Sequence, residues 1–357
     1  MDILNIPVMK PRLATFEEVS PFLQRIDQSK IYSNRGPLVR ELEESYSKYF
    51  NVGKDLVVAL ANATQAIQGL LSISKNRDWI VPDYTFPATG LAVLNSHKKL
   101  YICDVELINW KIDVELIQEE FKSFGIIPVM PFGSEIDFSP YKDFKDVIID
   151  AAASLGSTPP IFSQMPSSWA VVYSLHATKV LGAGEGAIIV CGNYSQAESL
   201  RAWSNFGFTS GRTSEIQGTN AKMSEMNAAY GLYSIQNINF EKMEWLTSQE
   251  YVSSHTTRYA WTTFVNSKPQ FHPYWIASFK DKKEKNLVAE KLMQAEIQTR
   301  EWWSNPLSVQ KAFFESTVIP GEGNASRLSD SHLGLPMYRG LSAELITKIS
   351  NIIEEQI

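Results

Sequence analysis

Lys179 is the one ammonium in the stretch YSLHATKVLGAGEGAIIV, residues 173–190. Alanines, valines, a leucine, glycines and isoleucines surround it, although a lysine on a solvated face usually has polar company. Three chemistries are open to such a residue. It is a solvated lysine in a connection, or it meets a nucleotide phosphate beside a glycine loop, or its amine is a nucleophile that forms a Schiff base with a carbonyl. The glycines at 182, 184 and 186 alternate without the G-x-G-x-x-G spacing, and they run into an apolar strand-like segment rather than a helix. The Gly-Lys-Ser/Thr of a P-loop is also missing, so the phosphate chemistry is the weakest of the three.

A Schiff-base lysine that holds pyridoxal phosphate makes demands elsewhere: an acid for the pyridine nitrogen, a phosphate cradle and a platform for the ring. Asp150 ends the apolar run DVIID and precedes three alanines. It either caps a following helix or accepts a charge-assisted bond from the protonated pyridine, which contributes about 1.5–3 kcal/mol. The segment ANATQAI, 61–67, passes from a strand end to a helix expected to begin near Thr64. Small residues such as Ala63 would let a phosphate approach the first N–H groups, where the helix dipole favours an anion. The Thr64 hydroxyl and the Gln65 amide add donors, and Thr64 is equally an ordinary N-cap. In VPDYTFPATG, 81–90, Tyr84 and Phe86 follow a strand end. They are core residues, or one of them, with Phe86 the choice, lies flat on the ring.

These groups need strand ends to stand on. DLVVALA (55–61), WIVP (79–82), LYICDV (100–105), GIIPVM (125–130), DVIID (146–150), SWAVVYS (168–174) and GAIIVCG (186–192) read as strands, with TQAIQGLLSI (64–73) a helix among them. Nearly continuous apolar strands between helical stretches predict the α/β class, a mostly parallel sheet covered on both faces. Ligands collect at the carboxyl ends of such strands, and Lys179 lies just beyond SWAVVYS. After about residue 235 the texture changes. Residues 240–264 carry a helical pattern, PYWIASF (273–279) a strand, 282–298 an amphipathic helix, and 341–357 a last helix introduced by Ser342. The expected division is a large cofactor-binding α/β domain over 1–238 and a smaller α+β domain over 239–357.

Composition sets outer bounds. The 357 residues are 44% hydrophobic and 20% charged, enough for a buried core. A net charge of −6 argues against a nucleic-acid surface. The two cysteines, Cys103 and Cys191, sit in apolar runs and read as buried thiols in a reducing, cytoplasmic setting. No signal peptide and no membrane span are visible, and no metal site is expected.

Taken in order, six segments resemble the nucleotide-sugar aminotransferases of the DegT/StrS type, which are fold-type-I pyridoxal phosphate enzymes. They are SNRGPLVRELEESYSKYF (33–50), VPDYTFPAT, DAAASLGS, YSLHATKVLGAGEGA, GTNAKMSEMNAAYG (218–231) and LPMYRGLS (335–342). The resemblance covers nearly the whole chain. It implies that Lys179 is the Schiff-base lysine and proton shuttle, that Asp150 partners the pyridine nitrogen, and that Thr64, Gln65 and Ser174 bind the phosphate. It further implies that Phe86 stacks on the ring and that Asn220 reaches the phosphate of a neighbouring subunit, so that a homodimer shares its sites. Glutamate would be the amino donor and a nucleotide-linked keto-deoxysugar the acceptor. Carbon 4 of dTDP-4-keto-6-deoxy-D-glucose is the expected position, in deoxyamino-sugar synthesis for an O-antigen or a glycosylated metabolite. Carbon 3, a pyridoxal phosphate lyase and a catalytically silent cofactor-binding protein are the alternatives. A related branch that deoxygenates sugars has histidine at the lysine position, and Lys179 argues against it. Three positions depart from the family pattern. Ala153 stands where Gln or His often contacts the ring hydroxyl, Ile149 where an acid is common, and Ala187 where the family has glycine. Glu185 reads as structural. Trp302 and Trp303 pack either against the substrate or in the core.

Overall fold

The structure, a computed structural model, describes residues 6–263 and 272–357. Two helices come first, α1 (Phe16–Ser29) and α2 (Pro37–Phe50). Strands and helices then alternate: β1 (Val57–Leu60), α3 (Ala63–Ile73), β2 (Asp78–Pro82), α4 (Pro87–Asn95), β3 (Lys99–Cys103), β4 (Gly125–Ile126), β5 (Ile148–Asp150), β6 (Ala170–Ser174) and β7 (Ala187–Cys191). Next come α5 (Tyr194–Ser204), α6 (Glu225–Gln236), α7 (Ile238–Thr256), β8 (Thr262–Thr263), β9 (Trp275–Ser278), α8 (Lys282–Gln294), β10 (Thr317–Val318), α9 (Asn324–Ser331), β11 (His332–Leu335) and α10 (Ala343–Glu354).

Two four-stranded sheets, ordered β1-β7-β6-β5 and β10-β3-β2-β4, join where parallel bridges pair Ile126 with Val147 and Val129 with Asp150. Within this layer every neighbouring pair is parallel except those of β7, which runs antiparallel to β1 and to β6. All residues of β1, β6 and β7 are buried, as strands covered on both faces require. Their side chains still alternate between two cores. Val57, Val171 and Ile188 pack with α2 and α6 on one face; Val58, Val172 and Ile189 pack with α3 and α5 on the other. The mostly parallel α/β sheet expected from the apolar runs is therefore present, with one strand reversed.

Some boundaries differ from the sequence expectation. The run 125–130 makes only a two-residue strand, because Pro128 has no N–H to give to a ladder. Its carbonyl nevertheless accepts from the Asp150 N–H at 2.9 Å, and the Met130 N–H donates to the Asp150 carbonyl at 2.9 Å. The helical pattern of 240–264 starts at Ile238 and ends at Thr256; Thr262–Thr263 pairs with β9 instead, and residue 264 lies outside the described residues. β-Branched threonines suit a strand better than a helix interior. The last helix runs 343–354, with the Ser342 hydroxyl accepting from the Leu345 N–H.

β11, β9 and β8 form a second, antiparallel sheet. The chain then returns to the large sheet, where β10 pairs with β3. Asp83 accepts from the backbone N–H and the hydroxyl of Ser308, and Asp104 accepts from the N–H groups of Asn324 and Ala325 at the start of α9. Two carboxylates just beyond β2 and β3 thereby tie the C-terminal part to the strand ends. No helix of the described residues is long and apolar enough to cross a membrane.

Candidate active site

Lys179 sits in the connection between two antiparallel strands. Beyond β6 and before β7 the ladder continues, with the Leu175 N–H donating to the Gly186 carbonyl (2.9 Å) and the Ala177 N–H to that of Gly184 (2.8 Å). Gly184 turns the chain at φ +85, where a side chain would be strained. A Cβ on Gly182 would lie 3.1 Å from the Ala177 backbone, so a side chain there would push the tight return apart. The Lys179 N–H donates to the His176 carbonyl at 2.8 Å, which aims the side chain inward. Its Nζ donates to the Tyr274 hydroxyl at 2.7 Å. On the outer side, His176 contacts the Thr178 hydroxyl at 2.8 Å and lies 3.9 Å from a Glu185 carboxylate oxygen.

Asp150 is buried at the end of β5. No helix follows it, which removes the helix-cap alternative. One carboxylate oxygen accepts from the Thr89 hydroxyl at 2.7 Å, the other from the Ala152 N–H at 3.2 Å. Burial raises its pKa, against the pull of those two bonds and of the Lys179 charge. Among the described residues no cation stands within ion-pair distance of it.

The cradle begins earlier than expected. α3 starts at Ala63, and its cap is Asn62, not Thr64: the Asn62 side chain accepts from the Gln65 N–H at 2.9 Å. Asn62 has extended φ and ψ, as a cap requires. The Ala63 and Thr64 N–H groups belong to the unpaired first turn, and Thr64 lines the cavity described below. Phe86 precedes α4 and is 60% exposed, so it is no core residue. The Ser174 hydroxyl accepts from the His176 N–H at 3.1 Å.

One cavity of about 670 Å³ is lined by Ala63, Thr64, Gln65, Phe86, Asp150, Ser174 and Lys179 together. Seven of the eight residues singled out from the sequence therefore meet in one place. The eighth, Asn220, lies outside it, exposed and bridged to Asn205. It does not cap α6, which begins at Glu225 under Ser224.

Sequence reasoning missed three contributors. Thr89 lies on the first turn of α4, and only its contact with Asp150, 61 residues away, reveals it. Tyr274 directly precedes β9, and Arg300 lies just after the bridge of Ile297 to Ile6. Trp302 and Trp303 are half-buried against the small cluster of Tyr84, Phe132 and Tyr274, and they also face the cavity. Trp303 stacks on Phe132 (4.3 Å, 25°), Trp302 meets Tyr274 edge-on (5.3 Å, 79°), and both line the cavity. Ala153 lines it too and offers no side-chain donor.

The arrangement fits pyridoxal phosphate. It has a buried carboxylate awaiting a cationic partner, unpaired N–H groups at a helix start, an aromatic ring on the wall and a lysine within the same cavity. A model of the DegT/DnrJ/EryC1/StrS aminotransferase family matches residues 15–354. A dTDP-4-amino-4,6-dideoxy-D-glucose transaminase of Shigella dysenteriae is 30% identical over 241 residues, a stretch covering 65% of this chain and 65% of that protein. An Escherichia coli protein of the same name is 25% identical, with 99% of each chain covered. Among solved structures, DesI in the presence of its TDP-sugar product superposes with a TM-score of 0.86 at 25% identity, covering 99% of this chain and 93% of its own. The sugar aminotransferase CalS13 from Micromonospora echinospora, at 16% identity, shares the fold with a TM-score of 0.83, covering 99% of this chain and all of its own (100%). The chain belongs to the DegT/DnrJ/EryC1/StrS aminotransferase family, and the cofactor its cavity fits is pyridoxal phosphate.

Proposed function

We propose that the protein is a sugar aminotransferase that moves an amino group from glutamate to a nucleotide-linked keto-deoxysugar, at carbon 4 of dTDP-4-keto-6-deoxy-D-glucose. One observation carries this reading: Lys179, Asp150 and the start of α3 face a single cavity large enough for a cofactor and a sugar. The transaminases of the same name in Shigella and Escherichia coli support amination of a nucleotide-linked sugar, and the choice of this sugar and carbon follows their name.

In this reading bound pyridoxal phosphate supplies the electron sink for a carbon that loses its proton. The chain does the rest. Asp150 holds the pyridine nitrogen protonated. Ala63, Thr64, Gln65 and Ser174 receive the phosphate, and Phe86 supports the ring. Lys179 Nζ takes a proton from the donor's α-carbon in the first half of the exchange and delivers one to the sugar carbon in the second. Arg300, whose guanidinium lies 4.8 Å from the Trp302 ring centre and has no acidic partner among the described residues, suits anionic substrates. Residues 1–238 carry the cofactor groups, and 239–357 contribute Tyr274, Arg300, Trp302 and Trp303 to the facing wall. Asn220 reaches the site of a second subunit in a homodimer, and the two buried thiols suit a reducing cytoplasm.

The test is to incubate the purified protein with glutamate and a panel of nucleotide keto-sugars and to identify the aminated carbon by NMR. An amine at carbon 4 of the dTDP sugar is expected. An amine at carbon 3 would correct the position, and absence of any amino sugar would overturn the reading.

A further inference from the structure

We infer that Tyr274 is a positioning residue for Lys179: its phenol holds the lysine amine at the reacting carbon whenever that amine is free of the cofactor. The inference rests on the aminotransferase reading above.

The contact is short and well supported. Nζ lies 2.7 Å from the phenol oxygen. The ring is only 9% exposed and is wedged edge-on between Phe132 (5.3 Å, 70°) and Trp302 (5.3 Å, 79°). Tyr274 directly precedes β9, whose register is set by pairing with β11 on one side and β8 on the other. The lysine stands on the turn after β6, 95 residues away in sequence. The bond therefore spans the large and small sheets, and neither partner has to be ordered by the other.

The chemistry of a phenol suits this task. A proton-shuttling amine alternates between ammonium, which only donates, and amine, which also accepts. A hydroxyl can accept from the first and donate to the second, so the contact survives both states. A carboxylate in its place would hold the ammonium by charge and oppose release of the proton. The cavity's two carboxylates are kept from that role. Asp150 is engaged by Thr89 and Ala152, and Glu185 lies beside His176 on the exposed side of the turn. A lysine side chain has many rotamers, and fixing its amine near the substrate removes that freedom before the reaction begins.

Tyr274→Phe keeps the ring packing and deletes the oxygen. With the loaded enzyme, kcat should fall about tenfold while KM for glutamate changes less than about threefold, the pattern of lost positioning rather than lost binding. A second readout needs no cofactor. In cofactor-free protein, trace labelling with acetic anhydride followed by peptide mass spectrometry should show Lys179 acylated several-fold faster in the variant, on the order of the freed-amine effect. Exposed Lys48 serves as the internal reference. An unchanged unfolding temperature establishes that the fold is kept. Labelling of Lys179 equal to wild type overturns the inference. Borohydride reduction of both loaded proteins separates the two levels: if it fixes no cofactor on Lys179 in the wild type, the aminotransferase reading itself has failed.

Discussion

A buried carboxylate held only by neutral donors is an incomplete arrangement. Asp150 accepts from a hydroxyl and an amide, and burial still pushes its pKa above the ordinary 3.8. A carboxyl whose pKa is raised by folding binds its proton more tightly in the native state. In cofactor-free protein it contributes stability that is present at low pH and lost as pH rises through the folded value. One such group changes stability by at most about 1.4 kcal/mol per pH unit. Asp150→Asn should remove this slope, so the unfolding temperature of the cofactor-free variant gains on wild type as pH rises above 3.8. In the loaded enzyme the same substitution removes the charge that keeps a pyridine nitrogen protonated, and turnover should fall by about a hundredfold or more. Near wild-type turnover would leave Asp150 as a former of the turn to Ala152. Lys179 has a direct test. Borohydride should fix the cofactor on the peptide that carries it. Lys179→Ala should abolish transamination while unfolding at the wild-type temperature, and reduction at any other lysine would move the assignment.

At the scale of elements, the start of α3 separates a structural residue from a ligand-binding one. Asn62 caps the helix, while Thr64 on its first turn lines the cavity. Asn62→Ala should therefore cost about 1 kcal/mol in chemical denaturation and loosen cofactor binding as the first turn frays. Thr64→Val should leave denaturation unchanged and weaken cofactor binding alone, read by titrating cofactor into the cofactor-free protein. Equal destabilisation by the two would reverse the roles. The strand ends that carry Asp150 and Ser174, and the turn that carries Lys179, were legible in the sequence because fully apolar runs mark strands buried on both faces. The direction of β7 was not, because a fully apolar run reads the same either way. The cap was misplaced by two residues, since Asn and Thr are both good N-caps and only the backbone angles decide between them. Thr89 and Tyr274 escaped notice for a different reason. Their partners lie 61 and 95 residues away, and no local pattern encodes a contact across a cavity.

For the whole molecule the open position is Asn220. It lies outside the cavity of its own chain and is exposed, although its neighbours are firmly held: the Thr219 N–H donates to the Trp203 carbonyl at 2.8 Å and the Ala221 N–H to that of Ser204 at 2.9 Å. Ser224 takes the role of cap for α6, so the Asn220 amide has no duty in that helix. Phe206, whose N–H donates to the Thr219 carbonyl at 2.9 Å, is 46% exposed. In the proposed homodimer, an exposed residue outside its own chain's cavity suits a two-fold contact in which each chain completes the other's phosphate site. Mixing two inactive variants tests this. Lys179→Ala removes the shuttle, and Asn220→Asp sets a negative charge against a phosphate. If the sites are shared, a mixed dimer collects both defects in one site and leaves the other intact. Equal amounts unfolded and refolded together give about half mixed dimers, each with one sound site, so activity should recover to about a quarter of wild type. The separately refolded parents serve as controls. If each chain builds its site alone, every site in the mixture carries one defect, and activity stays at the average of the parents. That outcome would assign Asn220 to its own turn, whatever the number of subunits.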